Sequence, residues 1–294
     1  MTANAQPAAD QLKVELVRGM PVAYWNPQRK TSVWGRRSLR SRPANNFGDL
    51  LGPVLVNKLV EQHALPTAPT SSSRLLAVGS IIQFGHDSDV VWGAGINGKV
   101  DPATYHPGQV DVRATRGPLT ADLLRERFGL SIPDVHGDPG LLLPTLFPRL
   151  QDLVATKRYD LTVIPNLNDI RFTKRNSTVV SPRQDLWSVI TRIAQSRLVV
   201  GSSLHAIIVA EALGVPARAV ASGRENTFKY DDYFMGTVRD PGGMLATDIS
   251  DAVRRGGAPG PNFAAAELLA AFPSDCWHRS GAEPGAAPVL RPAK

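Results

Sequence analysis

The segment Leu198-Val199-Val200-Gly201-Ser202-Ser203-Leu204-His205 runs an apolar, strand-like stretch into two serines and then a histidine. Residues 206–213 continue as a helical pattern closed by Gly214 and Pro216. Ser202 or Ser203 is the natural N-cap of that helix. The free N–H groups of its first turn and the helix dipole attract an anion, above all a phosphate. His205 sits in that first turn, at the carboxyl end of the strand. An imidazole there can exchange protons with a bound phosphate ester, whose charge favours the imidazolium. The position suits equally a structural histidine hydrogen-bonded beneath a loop.

Three other patterns promise chemistry and do not carry it. Gly93-Ala94-Gly95-Ile96-Asn97-Gly98 spells GxGxxG after a strand, but the dinucleotide fingerprint needs a helix next and the following residues read as loop. Asp87-Ser88-Asp89 has the form of a metal-binding DxD. It precedes its strand, the wrong end for a ligand in a parallel sheet, so a turn is expected. The six histidines, at 63, 86, 106, 136, 205 and 278, show no HExxH or close pairing, and no metal is expected.

The chain has 294 residues and a net charge of +7, with 25 arginines against 8 lysines. Arg29, Lys30, Arg36, Arg37, Arg40 and Arg42 fall in residues 29–42 without an acid and account for all but one of the net charges. The remainder is nearly neutral and lacks aromatic interleaving, which argues against nucleic acid. The run, with Trp34 inside it, could touch anionic lipid or a lipid-linked diphosphate acceptor, or stay a solvated loop. No apolar stretch reaches 18 residues and residues 1–20 lack a signal-peptide core. With Cys276 the only thiol, these features lead us to expect a cytoplasmic protein, peripheral at most on the inner face of the membrane.

These residues need a scaffold. Strands are expected at Val22–Trp25, Leu75–Gly79, Val90–Trp92, Val110–Ala114, Leu161–Ile164, Thr178–Val180, Leu198–Val200 and Ala217–Val220. Helices are expected over 50–63 (capped by Asp49), Pro118–Phe128, 183–195 and 204–213. Strands alternating with helices imply an α/β fold with parallel sheets and right-handed crossovers. Gly137-Asp138-Pro139-Gly140 breaks the pattern. The expected organisation is therefore a tail over 1–20, one α/β domain over 21–140, a second over 141–279 and a disordered tail over 280–294. The two domains would face a cleft, with ligands beyond the carboxyl ends of the strands.

Six motifs in order resemble the polysaccharide pyruvyltransferases, in particular the bacterial branch that ketalises exopolysaccharides of the xanthan and succinoglycan type. They are Tyr24-Trp25 with Asn46-Phe47-Gly48-Asp49; Val91-Trp92-Gly93-Ala94-Gly95; Val112-Arg113-Ala114-Thr115-Arg116-Gly117-Pro118; Gly137-Asp138-Pro139-Gly140; Ser202-Ser203-Leu204-His205 with Gly214-Val215-Pro216; and Phe228-Lys229-Tyr230-Asp231-Asp232-Tyr233. The resemblance implies two Rossmann-like domains similar to the GT-B glycosyltransferases. It implies a reaction in which phosphoenolpyruvate gives its three-carbon unit to two hydroxyls of one sugar, forming a cyclic ketal and releasing phosphate. Phosphoenolpyruvate is then a substrate and no cofactor is implied. The acceptor is a saccharide, lipid-linked in one version of the reading.

On that resemblance His205 is the proton donor. Many family members carry arginine two residues earlier, where this chain has Ser203, so another guanidinium must hold the trianionic donor. Arg116, after the Val110–Ala114 strand, is the best candidate, with Ser202, Ser203, Asn46 and Lys229 beside it; Arg116 could equally cap a loop carbonyl and Lys229 stay on a solvated surface. Asn46 and Asp49 could position the donor or an acceptor hydroxyl, or only form an Asx-turn and cap. Asp138 could act in catalysis or only shape its turn, and Tyr230 could line the cleft. A nucleotide-sugar glycosyltransferase and a non-catalytic glycan-binding protein are the rival readings.

Overall fold

The computed structural model describes residues 11–278, apart from 34–35, 70–72, 100, 102–104, 106–107, 172 and 174–175. The expected tails at 1–10 and 280–294, and Trp34, lie outside the described residues.

The chain opens with β1 (Leu12–Val17) and β2 (Met20–Trp25), antiparallel from Leu12↔Trp25 to Val17↔Met20. Arg18 and Gly19, at φ 42° and 87°, turn between them in the manner of a two-residue hairpin. The expected tail over 1–20 is thereby corrected, because 12–17 are sheet. Next come β3 (Gln28–Val33) and β4 (Arg36–Pro43), a second antiparallel hairpin, paired from Gln28↔Pro43 to Val33↔Arg36. The basic run is therefore paired strand and not loop.

Helix α1 (Leu51–Gln62) follows, then β5 (Leu75–Leu76), β6 (Val90–Trp92), β7 (Asp111–Ala114) and α2 (Pro118–Phe128). Strands β2, β5, β6 and β7 are mutually parallel, and the sheet order is β1-β2-β5-β6-β7. Leu50, not Asp49, stands at the N-cap of α1 and no side chain caps it.

Two short helices, α3 (Leu143–Leu146) and α4 (Leu150–Ala155), lead to β8 (Thr162–Val163), α5 (Leu186–Ala194), β9 (Val199–Gly201), α6 (Leu204–Ala212) and β10 (Ala217–Ala219). The second sheet is parallel, in the order β10-β9-β8. The chain ends in α7 (Phe228–Gly236), α8 (Ile249–Arg255) and α9 (Ala265–Ala270). An α/β fold is thus in place, with a mixed five-stranded sheet, parallel from β2 to β7, and a wholly parallel three-stranded one. Among the described residues no helix is long and apolar enough to cross a membrane.

The two halves are not separated at residue 140. One apolar cluster takes Leu51, Leu55 and Leu59 from α1, Leu141 and Leu142 from the 3-10 turn Pro139–Leu142, and Ile190, Ile193, Ile207 and Ile208 from α5 and α6. Helix α6 is apolar apart from His205 and Glu211, with Leu204, Ala206, Ile207, Ile208, Val209 and Ala210 all buried, as suits a helix in mid-core. Residues 265–278 return to the first half. The Trp92 indole N–H donates to the Leu268 carbonyl (2.8 Å) and the Trp277 indole N–H to the Val17 carbonyl (3.0 Å). These contacts join the two halves to one another across the Gly137-Asp138-Pro139-Gly140 break.

Candidate active site

A cavity of about 430 Å³ opens where the parallel strands of both sheets end. Ser80 follows β5, Asn97 and Lys99 follow β6, Arg116 follows β7, Asn166 and Asn168 follow β8, and Ser203 and His205 follow β9. Short strands deliver these residues: β5, β6, β8 and β9 are wholly buried, β7 buries Val112 and Ala114, and each following loop emerges at the same edge.

His205 is carried by the first turn of α6, and Ser203 is that helix's N-cap without a side-chain capping bond. The imbalance of the surroundings keeps the imidazole neutral. Burial first, then the charges of Arg116 and Lys229, push its pKa down to about 3. The imidazolium expected at this position is therefore not the state of the ligand-free protein. Gly48, from Asn46-Phe47-Gly48-Asp49, lies against the ring. A Cβ there would stand 2.1 Å from His205 Nδ1.

Arg116 lines the cavity yet is only 1% exposed. Its Nε donates to Asp232 (3.1 Å), one Nη to the Ile96 carbonyl (2.6 Å) and the other to Ser80 Oγ (2.9 Å). Asp232 also accepts from the Thr120 N–H (2.9 Å) and hydroxyl (2.8 Å), which fixes it at the start of α2. The guanidinium is thus held rigidly, with part of its charge already met. Gly95 makes room for it: a Cβ there would fall 2.5 Å from Arg116 Cζ. The GxGxxG pattern marks this close approach.

Lys229, buried in the first turn of α7, pairs with Glu225 at 3.0 Å. Lys99 reaches the same carboxylate from the other half of the chain. Burial holds the Lys229 ammonium below its usual pKa, partly restored by Glu225. Asp49 accepts from the Asn46 side-chain amide (2.6 Å) and is 8% exposed. Burial raises its carboxyl to about 7, against the Asn46 hydrogen bond and Lys229, which lower it.

Asn46, Asp49, Arg116, Ser203, His205 and Lys229 are accordingly brought together around one cavity. Ser202, Asp138 and Tyr230 are not. Ser202 faces a second cavity of about 390 Å³, and its hydroxyl donates to Asp169 at 2.5 Å. Tyr230 is buried, and its O–H braces the same turn by donating to the Ser202 carbonyl at 2.6 Å. Asp138 is wholly buried, and its Oδ1 accepts from the Gly140 N–H (2.8 Å). Its Oδ2 has no hydrogen-bond partner among the described residues, and burial raises the carboxyl to about 6. Tyr230 does not line the cleft, and Asp138 sits beneath it.

Reading the sequence missed Arg29, Lys99, Asn166, Asn168 and Glu225, all of which line the cavity. The strand-end rule reaches Asn166 and Asn168, two and four residues past a run read as strand. Arg29 was concealed inside the basic run. Its guanidinium lies 5.2 Å from the Trp25 ring centroid.

Residues 46–224 match the family model "Polysaccharide pyruvyl transferase". Over 152 residues the chain is 30% identical to the succinoglycan biosynthesis protein ExoV of Rhizobium meliloti (strain 1021). That alignment covers 49% of this chain and 46% of the relative, so the chain spans about half the length of the curated relative it matches. The family match takes in more than half of the chain and every motif from Asn46-Phe47-Gly48-Asp49 to Gly214-Val215-Pro216, and the chain belongs to the polysaccharide pyruvyl transferase family.

Proposed function

We propose that this chain is a pyruvyltransferase of exopolysaccharide synthesis. It moves the three-carbon unit of phosphoenolpyruvate onto two hydroxyls of one sugar, forming a cyclic ketal and releasing phosphate. The observation that carries the reading is the cavity's charge. Arg29, Lys99, Arg116 and Lys229 line it against two carboxylates, Glu225 and Asp49, and burial raises Asp49 to about 7. Such a wall suits a small trianion.

The proton balance assigns the work. Two sugar hydroxyls lose their protons; one proton goes to the methylene carbon of the donor and one leaves on phosphate. Protonation of the methylene makes an oxocarbenium-like centre that the first hydroxyl attacks. The second hydroxyl closes the ring as the C–O bond to phosphate breaks. Arg116 and Lys229 hold the anionic ends of the donor. The donor's charge counters the two cations that depress His205, so binding raises the imidazole's pKa and equips it as the proton donor. Asp49, with a pKa near the working pH, takes a proton from an acceptor hydroxyl.

One observation favours a second assignment. In the ligand-free protein Asp49 keeps its proton up to about pH 7 while His205 is neutral down to about pH 3. The carboxyl would then be the acid and the imidazole the base. The pH–rate profile of Asp49→Asn separates the two. Loss of the acidic limb alone supports the first assignment, and loss of the basic limb the second.

Thermal melting tests the donor itself. Phosphoenolpyruvate at 100 times its dissociation constant stabilises by about 2.7 kcal/mol, which raises Tm by about 5–10 °C. Inorganic phosphate is expected to do less, and Arg116→Ala to reduce the shift. A shift with nucleoside diphosphates and none with phosphoenolpyruvate would transfer the site to a nucleotide-sugar glycosyltransferase. Donor binding without turnover on any saccharide would make it a glycan-binding relative.

A further inference from the structure

The inner and outer cations of this cavity differ in one respect. Arg116 is met by Asp232, and Lys229 and Lys99 by Glu225. Arg29, Arg171 and Arg183 are met by no carboxylate in any ion pair among the described residues.

These three come from separate parts of the chain and converge. Arg29 projects from β3 into the cavity wall. The turn in which Asn166 accepts from the N–H groups of Asp169 (2.9 Å) and Ile170 (3.1 Å) carries Asn166 and Asn168 into the same wall and ends beside the exposed Arg171. The Phe47 N–H donates to the Pro182 carbonyl (2.9 Å), which sets the exposed Arg183 against the strip bearing Asn46 and Asp49. Burial, then Arg183 and Arg171, depress the Arg29 guanidinium, with Asp49 acting the other way. Three like charges near one another, none of them ion-paired and with only Asp49 offsetting Arg29, are unfavourable until an anion arrives.

We infer that Arg29, Arg171 and Arg183 form a polyanion site on the rim of the cavity, which takes a phosphate or diphosphate carried by the saccharide acceptor. This rests on the proposed reaction. Donor-sized anions are served on the floor by Arg116, Lys229 and the first turn of α6. The acceptor sugar must lie above them, and a phosphate at its far end reaches the rim. Arginine forks match phosphate oxygens in pairs, so three guanidiniums suit a diphosphate in charge and in the number of donors.

Inorganic pyrophosphate is the probe, titrated by calorimetry in saturating phosphoenolpyruvate at 50 and 200 mM salt. Wild type is expected to bind it, more weakly at higher salt. Arg171→Gln/Arg183→Gln, at exposed positions, should fold as wild type by circular dichroism and lose about tenfold or more in pyrophosphate affinity. Its phosphoenolpyruvate affinity should stay within about twofold. Arg29→Gln should weaken pyrophosphate in the same way. Unchanged pyrophosphate affinity in the double variant overturns the site. An equal loss for phosphoenolpyruvate overturns it too, by giving the arginines to the donor. If the variant instead loses only sedimentation with phosphatidylglycerol vesicles, the arginines face a membrane and the inference fails. Arginine-dependent pyrophosphate binding in a protein that does not bind phosphoenolpyruvate would sink the donor reading and leave the rim site in place.

Discussion

Replacing Asp49 by asparagine should make the protein more stable and less active. Burial moves the Asp49 carboxyl from its ordinary 3.8 to about 7 in the folded protein. Between those values the folded chain holds a proton that the unfolded chain has released. Stability therefore falls as pH rises through this window and levels off above about 7. Each pH unit costs about 1.4 kcal/mol, so the loss by pH 8 reaches up to about 4 kcal/mol. Asparagine has nearly the same shape and offers an oxygen to the Asn46 amide, whose bond to Asp49 is 2.6 Å. It carries no charge to bury. Urea unfolding of both proteins at pH 4, 6 and 8 isolates the effect, since groups common to the two cancel in the difference. The variant should match wild type at pH 4 and exceed it increasingly above, while pyruvyl transfer falls. A variant less stable than wild type at pH 8, or a difference flat with pH, would refute the reasoning.

His205→Gln should lower turnover by about 10²–10⁴ while most of the melting shift with phosphoenolpyruvate remains. Its stability relative to wild type should rise as pH falls from about 6.5, because the imidazole that burial, Arg116 and Lys229 hold neutral no longer has to charge. Gly48→Ala forces a Cβ to within 2.1 Å of His205 Nδ1. The displaced ring should cost roughly 10²-fold in kcat, read in single-turnover kinetics. Asp232→Ala strands the buried Arg116 charge and should destabilise by about 3–5 kcal/mol in urea unfolding, whereas Arg116→Met/Asp232→Leu should recover stability without activity.

Helix α2 was legible to the residue, with Pro118 at its first turn and Gly129 at its end, and so was β6, a buried apolar run before Gly93. Local punctuation sufficed there. Strand β1 was passed over although Leu12-Lys13-Val14-Glu15-Leu16 alternates apolar with polar; it is a sheet edge on which residues 13–16 are all exposed, so burial does not follow the alternation. The β3–β4 hairpin hides behind its arginines, which read as charge and not as strand. The same split holds in the cavity. His205, Arg116 and Lys229 follow from motifs and strand ends. What those residues touch does not: Asp232 meets Arg116 across 116 positions, and Glu225 joins Lys99 across 126. The raised carboxyls of Asp49 and Asp138 depend on burial created by both halves at once, which no local pattern encodes.

The two tryptophan pins bear on how the chain is made. Trp92 waits for Leu268, 176 positions later, and Val17 for Trp277, 260 positions later. At about 5–20 residues per second the ribosome keeps the first partner waiting roughly 10–35 s and the second longer. During that time the first sheet lacks its last cover, and Phe272, which packs edge-on against Trp92 at 5.0 Å, has not been made. The apolar patch under residues 265–278 is thus a surface of the nascent chain and an interior of the finished one. A segment made long after the first sheet is the one that commits the first half to its native packing.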